Sequence, residues 1–406
     1  FEWALQSYII LFSNSLIHIF QSMQFFIIIL ALVTIAYFLI MLGLMHGWKA
    51  VKEINIEGLA PNSKFSIIVP FRNEAENLPD LLLSLSNLKY PTSHFEIILV
   101  NDESEDKSLE ACFYFKRNHP EILFSVINNK RQTNSPKKDA ITTAIASARF
   151  DYIVTTDADC AVPSSWLQLY NECLLTTKAK LIAAPVSFFR EISIKDQFLN
   201  YLIAFQELDF MSLQVAGISG FGLKQPFMCN GANMCYEKNA FYAASGFEGN
   251  SDISSGDDVF LLQKFNELNF STTFLKSEKA IVYTKPQGSI SQLFSQRIRW
   301  AAKTSAYSAL FPKIIGTCVF LMNSLLIVGV VFTLLELIAY QWLLFSFTLK
   351  FVVDLGLLYF SATFFRKKYV LSHYLWCSLI YPFFATSVAI ASLFSGFEWK
   401  GRSFKK

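Results

Sequence analysis

The sequence predicts an α/β domain with a mostly parallel sheet, held between N- and C-terminal segments that cross a membrane. Three observations predict it. The middle of the chain, from about Lys49 to Lys313, alternates short continuous apolar runs with helix-like stretches, the pattern of a parallel sheet covered on both faces. The ends differ: residues 24–45 carry no formal charge, and 314–339, 341–364 and 370–395 are the next apolar candidates, each long enough to span a bilayer as a helix. The 406 residues are 53% hydrophobic but only 17% charged, too apolar for an ordinary soluble enzyme and too charged in the middle for an all-membrane protein.

Taken in order, residues 1–20 mix Glu2, Gln6, Asn14 and His18 with apolar side chains, which suits an interfacial helix better than a cleaved leader. With the span that follows they form an N-terminal unit, 1–48. The catalytic-type domain is expected over 49–286. Its first strand is Phe65–Pro70, followed by helical periodicity over Asn77–Leu88 with leucines at 78, 81, 82, 83, 85 and 88. Phe95–Val100 is a second strand ending in Asn101-Asp102, a charged helix leads to Leu123–Ile127, and a helix over Lys137–Arg149 enters the strand before Thr155-Thr-Asp-Ala-Asp-Cys160. Residues 190–226 are long, amphipathic and aromatic-rich, as a helix lying on a membrane would be. An amphipathic interface helix carrying Gln296-Arg-Ile-Arg-Trp300 is expected over 287–313, membrane segments over 314–396 and a basic tail over 397–406.

A net charge of +3 is too small to point to nucleic acid. Basic residues gather instead beside the apolar segments: Lys49 and Lys52, Arg366 to Lys368, then Lys400, Arg402, Lys405 and Lys406. The positive-inside rule places such clusters on the cytoplasmic side. If 370–395 spanned, the basic tail would lie outside; Pro382 divides that segment, so the expectation is that it dips in and returns, leaving Trp399–Arg402 near the domain. The seven cysteines are scattered and odd in number, which reads as reduced, buried thiols and a cytoplasmic domain.

In parallel sheets ligands bind beyond the carboxyl ends of the strands, and Arg72, Asn73, Glu74, Asp102, Asp157 and Asp159 fall there. If extension persists, Asp157 and Asp159 point the same way. Two adjacent anions repel unless a cation sits between them, so the choice is between a solvated turn and a divalent-cation site for a phosphorylated ligand. Asp257-Asp258 opens an apolar helical run, as first-turn acids commonly do. Gln296, Arg299 and Trp300 share one helix, as an interfacial helix would arrange them; Arg299 could grip a phosphate and Trp300 could pack beneath a sugar ring. No Gly-x-Gly-x-x-Gly or Gly-Lys-Ser/Thr loop and no Gly-x-Ser-x-Gly elbow occurs, which disfavours nicotinamide, P-loop and serine-hydrolase chemistry.

In their order these motifs resemble the membrane-bound family-2 glycosyltransferases. Val69-Pro-Phe-Arg-Asn-Glu74 is followed by Asn101-Asp102-Glu-Ser104, a lysine before a helix, Asp157-x-Asp159, an acidic pair and Gln296-x-x-Arg-Trp300. The resemblance implies a GT-A fold and inverting transfer of a sugar from a nucleotide diphosphate. It implies that Pro70, Arg72 and Glu74 line the nucleotide pocket, that Asp102 meets the base and Lys137 the nucleotide, and that Asp157 and Asp159 serve the diphosphate and its Mg²⁺ or Mn²⁺. Asp258 matches the catalytic base with Asp257 beside it, and Asn230 and Gly231 fall in the acceptor-facing loop 227–233, near Gln296, Arg299 and Trp300 in function. Asn101 and Pro136 depart from the pattern, the latter leaving Lys137 and Lys138 as alternatives.

The chain is similar in 190–226 and in its tail to ceramide- and carotenoid-type glucosyltransferases. This implies transfer of a hexose or N-acetylhexosamine, from a UDP-sugar, to a lipid or lipid-linked acceptor at the cytoplasmic face of a bacterial inner membrane. A processive synthase of the chitin-oligosaccharide or hyaluronan type is the alternative within the family, and an inactive membrane scaffold the alternative outside it. A transporter finds support only in Glu336, Lys350 and Asp354 within the apolar segments. Lys350 and Asp354 are one helical turn apart and are expected to pair.

Overall fold

A computed structural model of the chain describes the backbone of residues 2–189, 196–251, 253, 255–394, 397–399 and 402–404, and the side chains among them outside 2–20, 304–305 and the two final stretches. Helix α1 (Glu2–Ala50) runs without a break, so the backbone does not separate an interfacial segment from the span, and the side chains of 1–20 lie outside the described residues.

The domain then builds β1 (Phe65–Phe71), α2 (Leu78–Ser86), β2 (Phe95–Asn101), α3 (Ser108–Asn118), β3 (Leu123–Asn128), α4 (Pro136–Ser147) and β4 (Tyr152–Thr155). Next come α5 (Trp166–Thr177), β5 (Leu181–Ala183), β6 (Val186–Phe188), α6 (Gln197–Gly222), β7 (Met234–Glu237), α7 (Lys238–Ala243), α8 (Asp257–Glu267), β8 (Thr272–Phe274), β9 (Val282–Thr284) and α9 (Ile290–Ala302). The main sheet has the order β3-β2-β1-β4-β7-β5-β8. Its pairings are parallel except where β7 runs against β4 and β5. β1 and β2 bury nearly every residue, which is why they read as unbroken apolar runs rather than alternating ones.

Helices α10 (Leu310–Leu334), α11 (Tyr340–Phe364) and α12 (Tyr374–Phe394) follow, then a hairpin of β10 (Phe397–Trp399) and β11 (Arg402–Phe404). Among the described residues four helical stretches, Gln21–Ala50, Leu310–Leu334, Tyr340–Phe364 and Lys368–Phe394, are long and apolar enough to cross a membrane. Within this bundle Lys350 Nζ meets Asp354 Oδ2 at 2.5 Å and Tyr37 donates to Asp354 Oδ1 at 2.7 Å, so these charges are internal partners. Glu336 sits in the turn between α10 and α11 with φ of 58°.

Two expectations are corrected. The first is the surface helix over 190–226. Helix α6 buries Leu202–Met211 without interruption and Val215, Gly217, Ile218, Ser219 and Gly220 beyond them; it is wedged between the domain and helices α1 and α11. Its buried acids are paired inside: Asp209 meets Arg297, and Glu207 meets Lys367 at 2.7 Å. Residues 190–195 lie outside the described residues. The second concerns Pro382. Helix α12 passes through it without reversing, because one missing N–H can be tolerated inside a helix with neighbours. The segment packs along α10 and α9, starts with His373 and Trp376 against Tyr201 of α6, and is followed by β10 lying on α9.

The bundle is locked to the domain at a glycine crossing. A Cβ on Gly222 would lie 1.9 Å from the Gly47 carbonyl oxygen, and one on Gly47 would lie 2.4 Å from that of Ser219. Only glycine lets α1 and α6 touch backbone to backbone. Beside it, buried Lys276 donates to the Trp48 and Val51 carbonyls at 3.1 and 3.3 Å and lies 4.3 Å from the Trp48 ring centroid. A cation there caps the negative end of α1.

Candidate active site

The parallel strands β1, β2 and β4 end on one side of the sheet, and their terminal loops hold the polar residues. The Asp-x-Asp segment is a turn. β4 stops at Thr155, and Cys160 N–H bonds back to the Asp157 carbonyl at 3.2 Å. Extension does not persist, yet both carboxylates reach the same space because the turn folds them over the strand end.

Two cavities meet there. The smaller, of about 180 Å³, is lined by Pro70, Arg72, Glu74, Asn77, Asp102, Lys137, Asp157, Asp159 and Arg299. The larger, of about 470 Å³, shares Lys137, Asp157, Asp159 and Arg299 with it and adds Asn230, Gly231, Asp257, Asp258, Gln296 and Trp300. Of the residues singled out at the strand ends and in the motifs, Asn73 lines neither cavity and bonds instead to the Ser104–Glu105 loop. Beyond the carboxylates the larger cavity becomes apolar, bounded by Leu213 and Ile218 of α6, Val319 of α10, and Phe384 and Val388 of α12.

In the smaller cavity Arg72 donates to the carbonyls of Asp102 and Glu103 at 2.8 and 2.9 Å, tying the ends of β1 and β2 together. Asp102 Oδ1 accepts from Asn129 Nδ2 at 2.7 Å, with Arg131 at 3.6 Å. Glu74 Oε2 accepts from Asn77 Nδ2, and Lys285 reaches Asn77 Oδ1 at 2.8 Å.

Lys137, at the start of α4, bridges two carboxylates: Asp157 at 2.7 Å and Asp257 at 3.3 Å. Burial works against its charge, but Asp157 and Asp257 outweigh it and hold the ammonium well above the ordinary lysine value. Lys138 does something else. Its Nζ is buried under the Phe260 ring and donates to Asn250 and the Ile253 carbonyl, and burial pulls it down to about 8. Of the two alternatives, Lys137 is the one in the crevice.

The acidic pair opens α8 as first-turn acids do, after Gly256 at φ 83°. Asp258 Oδ1 accepts from Val259 N–H at 2.7 Å and Oδ2 from Gly231 N–H at 3.1 Å, and Lys303 Nζ lies 3.3 Å from Oδ1. Burial raises Asp258, but Lys303, Lys137 and the two N–H groups hold it below the usual carboxylate value. Burial pushes the neighbouring Asp257 the other way, upward, against Lys137. Adjacent carboxyls with separated affinities for a proton are a setting for acid–base work.

The loop facing this pair is held by Asn233, fully buried. Its amide donates to the Pro185 and Ala280 carbonyls at 2.7 and 2.8 Å, and its oxygen accepts from Trp166 Nε1 and the Tyr170 hydroxyl, both at 2.8 Å. Thr155 also donates to the Gly231 carbonyl at 2.7 Å, so strand end and loop are one unit. On α9, Gln296 Oε1 accepts from Arg297, whose guanidinium carbon lies 4.3 Å from the Trp300 ring centroid. Arg299 sits among Asp157, Asp257, Asp159 and Asp258, and burial lowers its pKa. Sequence reasoning missed Lys303, Arg297 and Asp209; a cation just past Gln296–Trp300 was the only available signal.

All seven cysteines are free, and six are buried. Among the described residues no three His, Cys, Asp or Glu side chains form a metal-holding group. Asp157 and Asp159 supply two oxygen donors, which suits a Mg²⁺ or Mn²⁺ ion held by one or two carboxylates together with substrate phosphates.

The family model for glycosyl transferase family 21 matches residues 26–405; the motif resemblance points to family 2, and the glycosyltransferase reading is common to both. A poly-β-1,6-N-acetyl-D-glucosamine synthase of Staphylococcus epidermidis is 30% identical over 151 residues, 36% of this chain and 34% of that protein. The probable glycosyltransferase YdaM of Bacillus subtilis is 24% identical over 245 residues, 60% of this chain and 56% of that protein. The matches thus span from a third to just over half of these relatives' lengths. A mannosyltransferase, PcManGT, from Pyrobaculum calidifontis, solved in complex with GDP-Man and Mn²⁺, aligns over 91% of this chain and 99% of its own with a TM-score of 0.55 at 16% identity. That likeness is one of fold, and the fold is GT-A-like.

Proposed function

The chain belongs to glycosyl transferase family 21, and we propose that it moves a hexose or N-acetylhexosamine from a UDP-sugar to a lipid or lipid-linked acceptor, inverting the anomeric centre. One observation carries this reading: a polar cavity at the strand ends and a larger cavity with an apolar end share Lys137, Asp157, Asp159 and Arg299. The nucleotide would occupy the first, with Pro70, Arg72, Glu74 and Asp102 around it. The acceptor would occupy the second, its hydrocarbon between α6, α10 and α12 and its hydroxyl at Asp258 and the Asn230–Gly231 loop.

In this arrangement Asp258 accepts the hydroxyl proton as the acceptor oxygen bonds to the anomeric carbon and the sugar–phosphate bond breaks. Lys137 and Arg299 face the charge that grows on the departing diphosphate. A Mg²⁺ or Mn²⁺ ion between Asp157 and Asp159 would supply further neutralisation there. Asp257 is the neighbouring alternative to Asp258 as base. The Mn²⁺ in the mannosyltransferase of similar fold and the membrane helices support the cofactor and an integral membrane setting, with the domain facing the cytoplasm where nucleotide sugars are made.

A processive synthase is the second reading, favoured by the similarity to the S. epidermidis polymer synthase. The apolar end of the larger cavity favours the lipid. Membranes containing the protein, supplied with radiolabelled UDP-glucose or UDP-N-acetylglucosamine and then extracted with organic solvent, separate the two. Label in the solvent phase supports the lipid acceptor; label retained as polymer replaces it with the synthase.

A further inference from the structure

Arg297 is one of the two positions of Gln296-Arg-Ile-Arg-Trp300 that the motif leaves open, yet it is one of the most enclosed cations in the domain, 5% exposed. It lines the larger cavity together with Asp209 of α6, itself 6% exposed. Arg297 Nε donates to Asp209 Oδ2 at 2.6 Å, NH1 donates to Gln296, and the guanidinium lies over the Trp300 ring. That ring in turn packs on Phe210, 6.0 Å between centroids. Among the described residues the third nitrogen, NH2, is buried and meets no hydrogen-bond partner.

A buried donor without a partner costs about 1–3 kcal/mol, and one attached to a charge is costlier to leave. The placement is specific. Arg297 is two residues before Arg299, which lines both cavities, and Asp209 is followed along α6 by Phe210, Leu213, Gln214, Gly217 and Ile218 of the same cavity wall. The pair belongs both to the helix of the reacting end and to the helix of the apolar end.

We propose that Asp209 and Arg297 form the subsite that reads the acceptor's headgroup, with Arg297 NH2 donating to a headgroup oxygen close to the hydroxyl that is glycosylated. The proposal rests on the lipid-acceptor reading above. Because Asp209 already balances the guanidinium, the subsite carries no net charge. It suits a neutral headgroup bearing a carbonyl or a second hydroxyl, and it offers a phosphate no uncompensated cation. Fixed by Asp209, Gln296 and Trp300, the planar fork is set for one oxygen at one position. Arg297 is thus a specificity-determining residue rather than a group at the reacting bond.

The test uses the full chain in detergent micelles with radiolabelled UDP-glucose or UDP-N-acetylglucosamine, and three acceptor probes: dioctanoylglycerol, N-octanoylsphingosine and farnesyl phosphate. Arg297→Gln strands a buried carboxylate, so the double variant Asp209→Leu/Arg297→Met, which removes both charges together, is measured beside it. The expected result is that the wild type uses a neutral probe in preference to farnesyl phosphate. In the double variant the neutral acceptor's KM rises about tenfold, the loss of one hydrogen bond from a charged donor, while the UDP-sugar KM stays within about twofold. An unchanged acceptor KM, equal changes for donor and acceptor, or a wild-type preference for the phosphate would overturn the subsite. Label entering no lipid at all would instead overturn the lipid-acceptor reading on which it stands.

Discussion

Lys303 Nζ lies 3.3 Å from Asp258 Oδ1, across the joint between the first turn of α8 and the short helix that continues α9. The contact ties the acidic pair to the segment carrying Gln296, Arg299 and Trp300. It also holds Asp258 ionised against the cost of its burial. Removing Lys303 as Lys303→Met therefore raises the Asp258 pKa. The acidic limb of the rate profile then moves to higher pH, and activity is lost first on the acid side. A full pH profile of kcat/KM for both proteins checks it; an unshifted acidic limb would assign that limb to another group.

Asp258→Asn removes the proposed proton acceptor and keeps the side chain's shape, though its single oxygen can accept from only one of the Gly231 and Val259 N–H groups. Turnover is expected to fall by about 10²–10⁴-fold, the range for general-base removal, with UDP binding by calorimetry little changed. Equal losses of rate and of affinity would make Asp258 a binding residue and move the base to Asp257.

Asp159→Ala takes away one of the two oxygen donors in the turn after β4. Transfer is expected to be abolished, and the gain in UDP affinity on adding Mn²⁺ to vanish. If Mn²⁺ strengthens UDP binding equally in the variant and the wild type, the assignment of Asp157 and Asp159 to the ion fails.

Gly222→Ala places a methyl group 1.9 Å from the Gly47 carbonyl, a backbone atom that cannot move without shifting α1 on α6. Overpacking of this kind costs about 1–3 kcal/mol, so the melting temperature of the purified protein should fall by several degrees. A melting temperature equal to the wild type's would show that the crossing has slack.

The direction of the tail is open to a chemical probe. Helix α12 begins against α6, and the strand β10 that follows it lies on α9, so we expect the tail on the same side of the membrane as the domain. That also keeps the basic tail inside, as the positive-inside rule requires. A cysteine at Ser403, in a background lacking other reactive thiols, should resist a membrane-impermeant maleimide on intact cells and react after permeabilisation. Labelling of intact cells would place β11 outside.

The sequence alone determined the parallel half of the sheet and the crevice at its strand ends; β5, β7 and β8, with the reversed run of β7, were not legible in it. β1, β2, β3 and β4 could be read within a residue or two because continuous apolar runs bounded by polar ends are local signals. Residues at the ends of parallel strands share one crevice by topology. Pro70, Arg72, Glu74, Asp102, Asp157 and Asp159 consequently lie where their positions in sequence put them. Tertiary structure alone decided the rest. It buried α6, whose mixture of Glu207, Asp209 and aromatic residues resembles a surface helix until Lys367 and Arg297, far along the chain, neutralise it. It chose Lys137 over Lys138 for the crevice, since neighbours on a helix point about 100° apart and only the packing fixes which faces the carboxylates. It also brought α6, α10 and α12 together around the apolar end of the larger cavity. Local periodicity marks each of those helices as apolar, but an apolar face has no address until another element covers it.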